Sequence, residues 1–134
     1  MYKMLFLSVL TFNVYAGQQY ECLIQNAYNE ARGEGELGVE LVTSVVMNRA
    51  VMDEKTACEV IHTPGQFSWV PSPLAAPREF KKKYMKLIKR VYKKRRKRYA
   101  KLYFFHAKHI EPFQSHRAQF SLAYRGHVFY DLKP

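Results

Sequence analysis

The segment from Glu36 to Met52 constrains the fold most, because its apolar residues lie on more than one face of a helix. These residues are Leu37, Val39, Leu41, Val42, Val45, Val46 and Met47. A helix that is apolar around most of its circumference must be covered by other elements, so the segment predicts a central, buried helix. Asn48 lies on the same side as Leu37 and Leu41. It is either a buried amide that ties two segments together or a site residue, and the structural role is favoured.

Shorter periodic segments flank this central helix. Apolar residues at helical spacing from Tyr20 to Ala31 predict a first helix that ends at Gly33 and Gly35. The other predicted elements are a short helix at 57–62, a strand or loop at 66–70, an amphipathic helix from Pro77 to about Tyr99, a strand at 102–106, a loop through Pro112 and a last strand at 127–132. At 134 residues the chain has room for one domain, and we predict a mainly helical α+β fold with a small C-terminal β-sheet.

The first residues have the pattern of a secretory signal. Lys3 precedes an apolar run at 4–12, and Val14-Tyr15-Ala16 then provides small residues suited to cleavage. The run is too short to span a bilayer comfortably. We therefore expect residues 1–16 to be removed on export, which leaves a periplasmic or secreted domain at 17–134. A first buried strand or helix is the alternative, and the abrupt change to polar residues at 18–19 argues against it.

Export would place both cysteines in a compartment that permits disulfides. A bridge between Cys22 and Cys58 would close a loop of about 36 residues. Two buried free thiols are the alternative if the chain is not exported.

Positive charge is concentrated in the segment 78–101, called the basic segment below. It carries fourteen Lys or Arg residues and one Glu, a net charge of +13, whereas the rest of the chain carries eight Lys or Arg and ten Asp or Glu, a net charge of −2. Its apolar positions fall on one stripe, which leaves a cationic outer face without an outward base-stacking surface. For an exported protein this face suits anionic envelope polymers or lipid head groups better than nucleic acid. We expect a monomer.

A polar helix end at 28–34 is the candidate active site. Glu30 projects from the edge of an apolar stripe, where desolvation disfavours a charged carboxylate and raises its pKa toward the range of a general acid. A plain surface glutamate is the alternative. Arg32 could hold the loop or keep Glu34 ionised, and a structural ion pair is the favoured role. Glu34 is expected to tie down the loop.

Five blocks of sequence resemble the cell-wall hydrolase family typified by the spore-cortex-lytic enzyme SleB. In chain order they are Glu30-Ala31-Arg32-Gly33-Glu34, Val45-Val46-Met47-Asn48-Arg49, the pair of stretches 57–61 and 64–69, Tyr103-Phe104-Phe105-His106-Ala107 and Gly126-His127-Val128-Phe129-Tyr130. The blocks span nearly the whole chain after residue 16. The resemblance implies a lysozyme-like domain that cleaves peptidoglycan between N-acetylmuramic acid and N-acetylglucosamine, usually as a lytic transglycosylase with a single catalytic glutamate.

Carried over by position, the catalytic glutamate is Glu30, which would protonate the glycosidic oxygen and then take the proton of the muramic 6-hydroxyl. The expected product is a 1,6-anhydro sugar. Side chains suited to contact the sugar are Tyr28, Gln66, Ser68, Trp69 and His106, although core packing is the alternative for Trp69 and His106. Such a reaction needs no metal or other cofactor, and the spacing of His106, His109 and His116 matches no recognised ligand pattern.

Two other functions stay open at this point. A hydrolytic muramidase would need a second carboxylate, about 5–5.5 Å from the first for retention or about 6.5–9.5 Å for inversion, and Glu34 is the nearest in sequence. A non-catalytic module that binds the envelope or nucleic acid on the same scaffold is the rival from another class.

Overall fold

The computed structural model describes the backbone at residues 2–110 and 115–134, with side chains described from Tyr15 onward. Within these ranges four α-helices precede a three-stranded sheet. The elements are α1 (Tyr2–Ala31), α2 (Gly35–Met52), α3 (Ala57–His62), α4 (Arg78–Lys93), a single 3-10 turn at Lys97–Tyr99, β1 (Leu102–Ala107), β2 (Ala118–Tyr124) and β3 (His127–Leu132). About half of the chain is helical, which confirms the predicted α+β class.

Helix α2 is the centre of the domain, as its composition predicts. Twelve of its 18 residues are buried, and α1, α3, α4 and β1 all pack against it. Its N-terminus follows directly from α1, because Glu34 N–H donates to the carbonyl of Ala31 and Gly35 adopts a φ of 74°. That left-handed conformation favours glycine and turns the chain sharply between the two helices.

A disulfide joins α1 to α3. Cys22 and Cys58 are bonded, with their Cα atoms 5.4 Å apart, so the predicted bridge is formed. Next to it the backbone N–H of Cys58 donates to Oε1 of Gln19 at 2.9 Å. Helix α3 has only six residues, and a capping box between Thr56 and Glu59 secures its N-terminus. The short helix is therefore held at its start by local hydrogen bonds and to α1 by a covalent bond.

Two helices differ in length from the prediction. Helix α1 begins at Tyr2 instead of Tyr20, since the apolar residues after Lys3 contain no proline and continue the same helix. Cleavage of residues 1–16 stays a prediction, and no helix in the described part of the chain is long and apolar enough to cross a membrane. Helix α4 ends at Lys93 instead of Tyr99, because Lys94 is extended and the chain turns inward to bury Tyr99.

The C-terminal sheet is antiparallel with strand order β1-β3-β2, and the sequence prediction missed β2. The residues of β2 are half-buried or exposed and show no regular alternation. The strand therefore depends on its pairing with β3 and not on a pattern in its own sequence. Residues 66–70 form turns rather than a strand. The predicted loop through Pro112 falls partly at 111–114, outside the described residues. Phe105 of β1 pairs with the buried Phe129 of β3, and this side of the sheet faces the helices.

Candidate active site

Glu30 lies in the last turn of α1, next to the fully buried Ala27 and Ala31. Its side chain is half-buried, and this burial raises the pKa of its carboxyl group to about 7. Desolvation is the physical cause, because a charged carboxylate beside an apolar stripe loses hydration that its neutral form does not need. Near neutral pH the group therefore exists both as an acid that can donate a proton and as a base that can accept one.

The carboxyl group of Glu30 faces an open cleft of about 700 Å³. Helix α2 contributes Arg49 to the wall, the turns after α3 contribute Gln66 and Ser68, and β1 and β3 contribute His106 and His127. Aromatic residues of β1 line the floor. A cleft of this size, with polar groups converging on aromatic surface, is typical of a site for a small ligand or for part of a polymer.

Arg49 connects three parts of the cleft wall. Its Nε donates to the carbonyl of Tyr103 at 2.8 Å, and its guanidinium also donates to Oε1 of Gln66. The same guanidinium lies 4.7 Å from the ring centroid of Tyr103 and 5.3 Å from that of Phe104. Burial lowers the pKa of Arg49, although a guanidinium stays charged at neutral pH. Arg49 thus holds Gln66 and β1 in fixed positions relative to α2.

A smaller cavity of about 170 Å³ adjoins the cleft behind Tyr103. The hydroxyl of Tyr103 donates to the carboxylate of Asp53, with oxygen distances of 2.7 and 2.8 Å. Arg117, which directly precedes β2, also lies over the Tyr103 ring, 5.7 Å from its centroid. Asp53 is therefore occupied by an aromatic hydroxyl and does not line the main cleft with Glu30.

Glu34 and His127 form a pair of titratable groups, of which His127 lines the cleft. Oε1 of Glu34 lies 3.3 Å from Nδ1 of His127, and only 16% and 11% of the two side chains is exposed. Oε2 of Glu34 accepts from the backbone N–H of Gly126 at 3.2 Å. A larger residue in place of Gly126 would displace this carboxylate, because a Cβ atom at this position would come within 2.7 Å of Glu34 Oε1. Glu34 thus ties the loop to the turn between β2 and β3.

Burial lowers the pKa of His127, and the neighbouring charges of His106 and His109 act in the same direction. The carboxylate of Glu34 opposes this shift but does not reverse it. His127 is consequently neutral near pH 7, and its ring packs edge-on against Phe105 with centroids 5.5 Å apart.

The structure brings together four of the predicted site residues, Glu30, Gln66, Ser68 and His106, around one cleft. His106 is held in place on both nitrogens. Nε2 is 2.8 Å from the hydroxyl of Tyr130 and Nδ1 is 2.8 Å from the carbonyl of Ala107, while its ring stacks on that of Tyr130. A substrate contact by His106 would therefore use its ring edge or displace Tyr130.

Tyr28 and Trp69 do not line the cleft in this structure. Tyr28 packs edge-on against Phe80 of α4, with ring centroids 5.1 Å apart. Trp69 is partly buried against the core, and its Nε1 donates to Oδ1 of Asn26 at 3.0 Å. Packing accounts for both side chains, and their contact with sugar stays a prediction.

Asn48 has the structural role that the sequence favours. It is 2% exposed, and its amide Nδ2 donates to the carbonyls of Tyr99 and Leu102 at 2.7 and 2.8 Å. Its Oδ1 accepts from Nε of Arg95 at 2.9 Å. One buried amide therefore joins α2 to the 3-10 turn, to β1 and to the end of the basic segment.

The expected ion pair between Arg32 and Glu34 is absent. Arg32 is exposed and lies over the ring of Tyr28, 5.4 Å from its centroid, with long hydrogen bonds to the carbonyls of Tyr28 and Asn29. Because α1 ends at Ala31, the following turn directs Arg32 back along α1 and Glu34 toward His127. The side chain that contacts Glu34 is therefore supplied by β3 and not by its own loop.

Sequence reasoning missed most of the residues that line the cleft, among them the polar side chains of Arg49 and His127. Each lies in a block that resembles the family, directly after Asn48 and Gly126. Nothing in their local spacing separates a cleft residue from a surface residue, since both reach the cleft only because β1 packs on α2 and β3 pairs with β1.

Among the described residues, no group of three or more His, Cys, Asp or Glu side chains is arranged to hold a metal ion.

Fold and cleft together define a small α+β domain with one desolvated carboxylic acid at the wall of an open groove. The sequence pattern of the Cell Wall Hydrolase family matches residues 33–130, which is most of the chain, and the protein belongs to this family. Membership indicates an enzyme of peptidoglycan hydrolysis. The match includes Glu34, Arg49 and His127 but begins after Glu30. Comparison with curated proteins and with solved structures found no match.

Proposed function

We propose that the protein cleaves the glycan strand of peptidoglycan between N-acetylmuramic acid and N-acetylglucosamine as a lytic transglycosylase, with Glu30 as its catalytic acid. The observation that carries this proposal is the half-buried carboxyl group of Glu30, whose pKa is raised to about 7 inside a cleft of about 700 Å³. Because Glu30 precedes the residues matched by the family, its role rests on this geometry and on its position next to the matched residues.

In the proposed reaction, neutral Glu30 donates its proton to the glycosidic oxygen as the bond to C1 of the muramic residue breaks. Positive charge develops at C1 in the transition state, and the carboxylate left on Glu30 stabilises it electrostatically. The 6-hydroxyl of the same sugar attacks C1, and its proton passes to a basic group of the cleft. The product is a 1,6-anhydro sugar, and no water is consumed.

The arrangement of carboxylates favours this outcome over hydrolysis. Among the described residues that line the cleft, Glu30 is the only Asp or Glu. Glu34 is directed toward His127 and Gly126, and Asp53 accepts hydrogen bonds from Tyr103. Hydrolysis by the usual route needs a second carboxylate that either attacks C1 or activates water. Neither of these two acids is free to do so without breaking its present contacts.

Polar side chains beside Glu30 suit the substrate. Gln66 offers an amide and Ser68 a hydroxyl to the acetamido and hydroxyl groups of the sugars, and Arg49 fixes Gln66 in place. Aromatic rings of β1 provide flat surface for a sugar ring. We propose export of the chain and removal of residues 1–16, since the substrate lies outside the cytoplasm.

Digestion of purified sacculi followed by mass analysis of the soluble fragments tests the proposal. We expect fragments that end in 1,6-anhydromuramic acid, and we expect Glu30→Gln to abolish their release while still binding sacculi. Reducing muramic ends would assign a muramidase instead. Intact glycan with wild-type protein would exclude both enzymes and favour a binding module.

A further inference from the structure

We infer that His127 is a second catalytic residue, which accepts the proton of the attacking 6-hydroxyl while Glu34 holds its ring. The inference rests on the proposed function and assigns the step that follows the proton donation by Glu30. Nothing in the family match or in the sequence prediction gives His127 a role.

The contact with Glu34 determines which nitrogen of His127 can act. Nδ1 lies 3.3 Å from Oε1 of Glu34, and a carboxylate beside this nitrogen favours the neutral tautomer with its hydrogen on Nδ1. Nε2 is then the acceptor. Among the described residues Nε2 has no hydrogen-bond partner, and the ring lines the same cleft as Glu30.

Glu34 and His127 are arranged like a carboxylate–histidine pair in which the histidine takes the proton of a hydroxyl group. The carboxylate orients the ring and stabilises the imidazolium that forms, and the other nitrogen takes the proton. Glu34 is well placed for this role, because its second oxygen is anchored by the N–H of Gly126 and both side chains are almost buried. The ring of His127 is further positioned by Phe105, with centroids 5.5 Å apart.

With Glu30 as the proton donor and His127 as the proton acceptor, every proton in the reaction is accounted for. The proton of Glu30 moves to the glycosidic oxygen, the bond from that oxygen to C1 breaks, the bond from O6 to C1 forms, and the proton of O6 moves to Nε2 of His127. The enzyme is left with a carboxylate at Glu30 and an imidazolium at His127. Transfer of one proton from His127 to Glu30, directly or through water, restores the starting state.

Two ionisations, that of Glu30 at about pH 7 and that of His127 at a lower pH, would distinguish this mechanism from one that uses Glu30 alone. Activity requires Glu30 protonated, so it falls as pH rises through about 7. It also requires His127 neutral, so it falls as pH drops through the lowered pKa of that ring. The charged or titratable groups that face His127 are Glu34, His106 and His109, with Glu30 and Arg49 elsewhere in the cleft. This loss of activity at low pH is the acidic limb of the pH profile, and an enzyme that used Glu30 alone would not show it.

The experiment measures the release of anhydro fragments from sacculi against pH for the wild-type protein, His127→Gln and Glu34→Gln. The amide of Glu34→Gln can still accept from Gly126 but would donate to Nδ1, which moves the ring hydrogen to Nε2. We expect both variants to lose at least about tenfold in rate at pH 7 and to lose the acidic limb. We also expect imidazole to restore part of the activity of His127→Ala. His62→Gln, at an exposed position on α3, is the matched control.

Each outcome separates the two proposals. If the wild-type protein cleaves, Glu30→Gln is inactive and His127→Gln keeps the wild-type rate or the wild-type pH profile, this inference is overturned and the proposed function stands. A rate loss with an unchanged profile and no rescue by imidazole also overturns it. Wild-type protein that leaves the glycan intact overturns both.

Discussion

At the scale of single residues, Glu30 shows how a functional group can work against stability. Its carboxyl group ionises at about pH 7 in the folded chain, whereas in the unfolded chain it ionises near its ordinary value of 4.5. Between these two pH values the folded state binds more protons than the unfolded state, so this residue makes stability decrease as pH rises. Above pH 7 the ionised side chain costs the folded state about 3 kcal/mol.

Glu30→Gln should therefore stabilise the protein while it abolishes cleavage. We expect the gain in unfolding free energy to be near zero at pH 4 and to rise to about 2–3 kcal/mol at pH 8, because only the wild-type side chain ionises over this range. Denaturant unfolding at both pH values measures the difference. Glu54→Gln, at an exposed position, is the matched control for changing a carboxylate to an amide. A gain for Glu30→Gln that is equal at both pH values would contradict the assigned ionisation.

At the scale of elements, the structure divides the basic segment into two functional parts. Arg90 and Arg96 approach the buried carboxylate of Glu40 at 3.2 and 3.0 Å, and Arg95 donates to Asn48. Lys81 pairs with Glu21 of α1. These four cations hold the segment to the domain. Lys82, Lys86, Lys93 and the other outward cations form no ion pair with an acidic residue in the described part of the chain.

We propose that these outward lysines of α4 bind anionic polymers of the cell envelope. Three exposed lysines at 82, 86 and 93 can be replaced by glutamine without touching the inward contacts. We expect this triple variant to bind sacculi more weakly, and with a smaller dependence on salt, because fewer counterions are released. Sedimentation with sacculi between about 50 and 300 mM salt measures the effect.

The matched control is Arg90→Gln with Arg96→Gln, which should lower thermal stability instead, since Glu40 would be left buried without a cation. Triple-variant binding that equals the wild type at every salt concentration would exclude the outward face as a targeting surface. Binding to anionic vesicles but not to sacculi would assign lipid head groups as the partner.

At the scale of the whole molecule, the two walls of the cleft come from segments that are far apart in sequence. Helix α1 carries Glu30, whereas the turns that follow α3 carry Gln66 and Ser68. The disulfide between Cys22 and Cys58 joins α1 to α3 and spans 36 residues of sequence. It therefore fixes the separation of the acid from the polar groups that suit the sugar.

Replacement of both cysteines by serine should cost roughly 3–4 kcal/mol of stability, because the unfolded chain regains the entropy that the closed loop removes. We expect a lower melting temperature and a lower cleavage rate at temperatures where the variant is still folded. A reductant should produce the same change in the wild-type protein and none in the double variant. Identical melting of wild type and double variant under oxidising conditions would show that the bridge does not stabilise the fold.

Much of the architecture follows from local pattern. The apolar circumference of 36–52 predicts the central helix, and the spacing at 57–62 and at 127–132 predicts α3 and β3 with the bounds that the structure has. Strand β2 was not predicted, because its residues are half-buried or exposed and the strand is stabilised by pairing with β3. The end of α4 was not predicted, because the amphipathic pattern continues beyond Lys93. In the structure the chain leaves the helix there, since Tyr99 is buried and Arg95 and Arg96 contact residues of α2.

By itself the sequence determined the α+β class, the buried helix and the identity of Glu30 as a carboxyl group at an apolar margin, since these depend on neighbours within a few turns. It also determined the cysteine pair, because the chain has two cysteines. Only the tertiary structure decided that Glu34 faces His127 and not Arg32, that Arg49 and His127 enter the cleft, and that Tyr28 and Trp69 pack outside it. The physical reason is that a cleft forms where distant elements meet. The direction in which a side chain points into the cleft depends on how β1 packs on α2 and pairs with β3, and the spacing of residues within one element does not determine this packing.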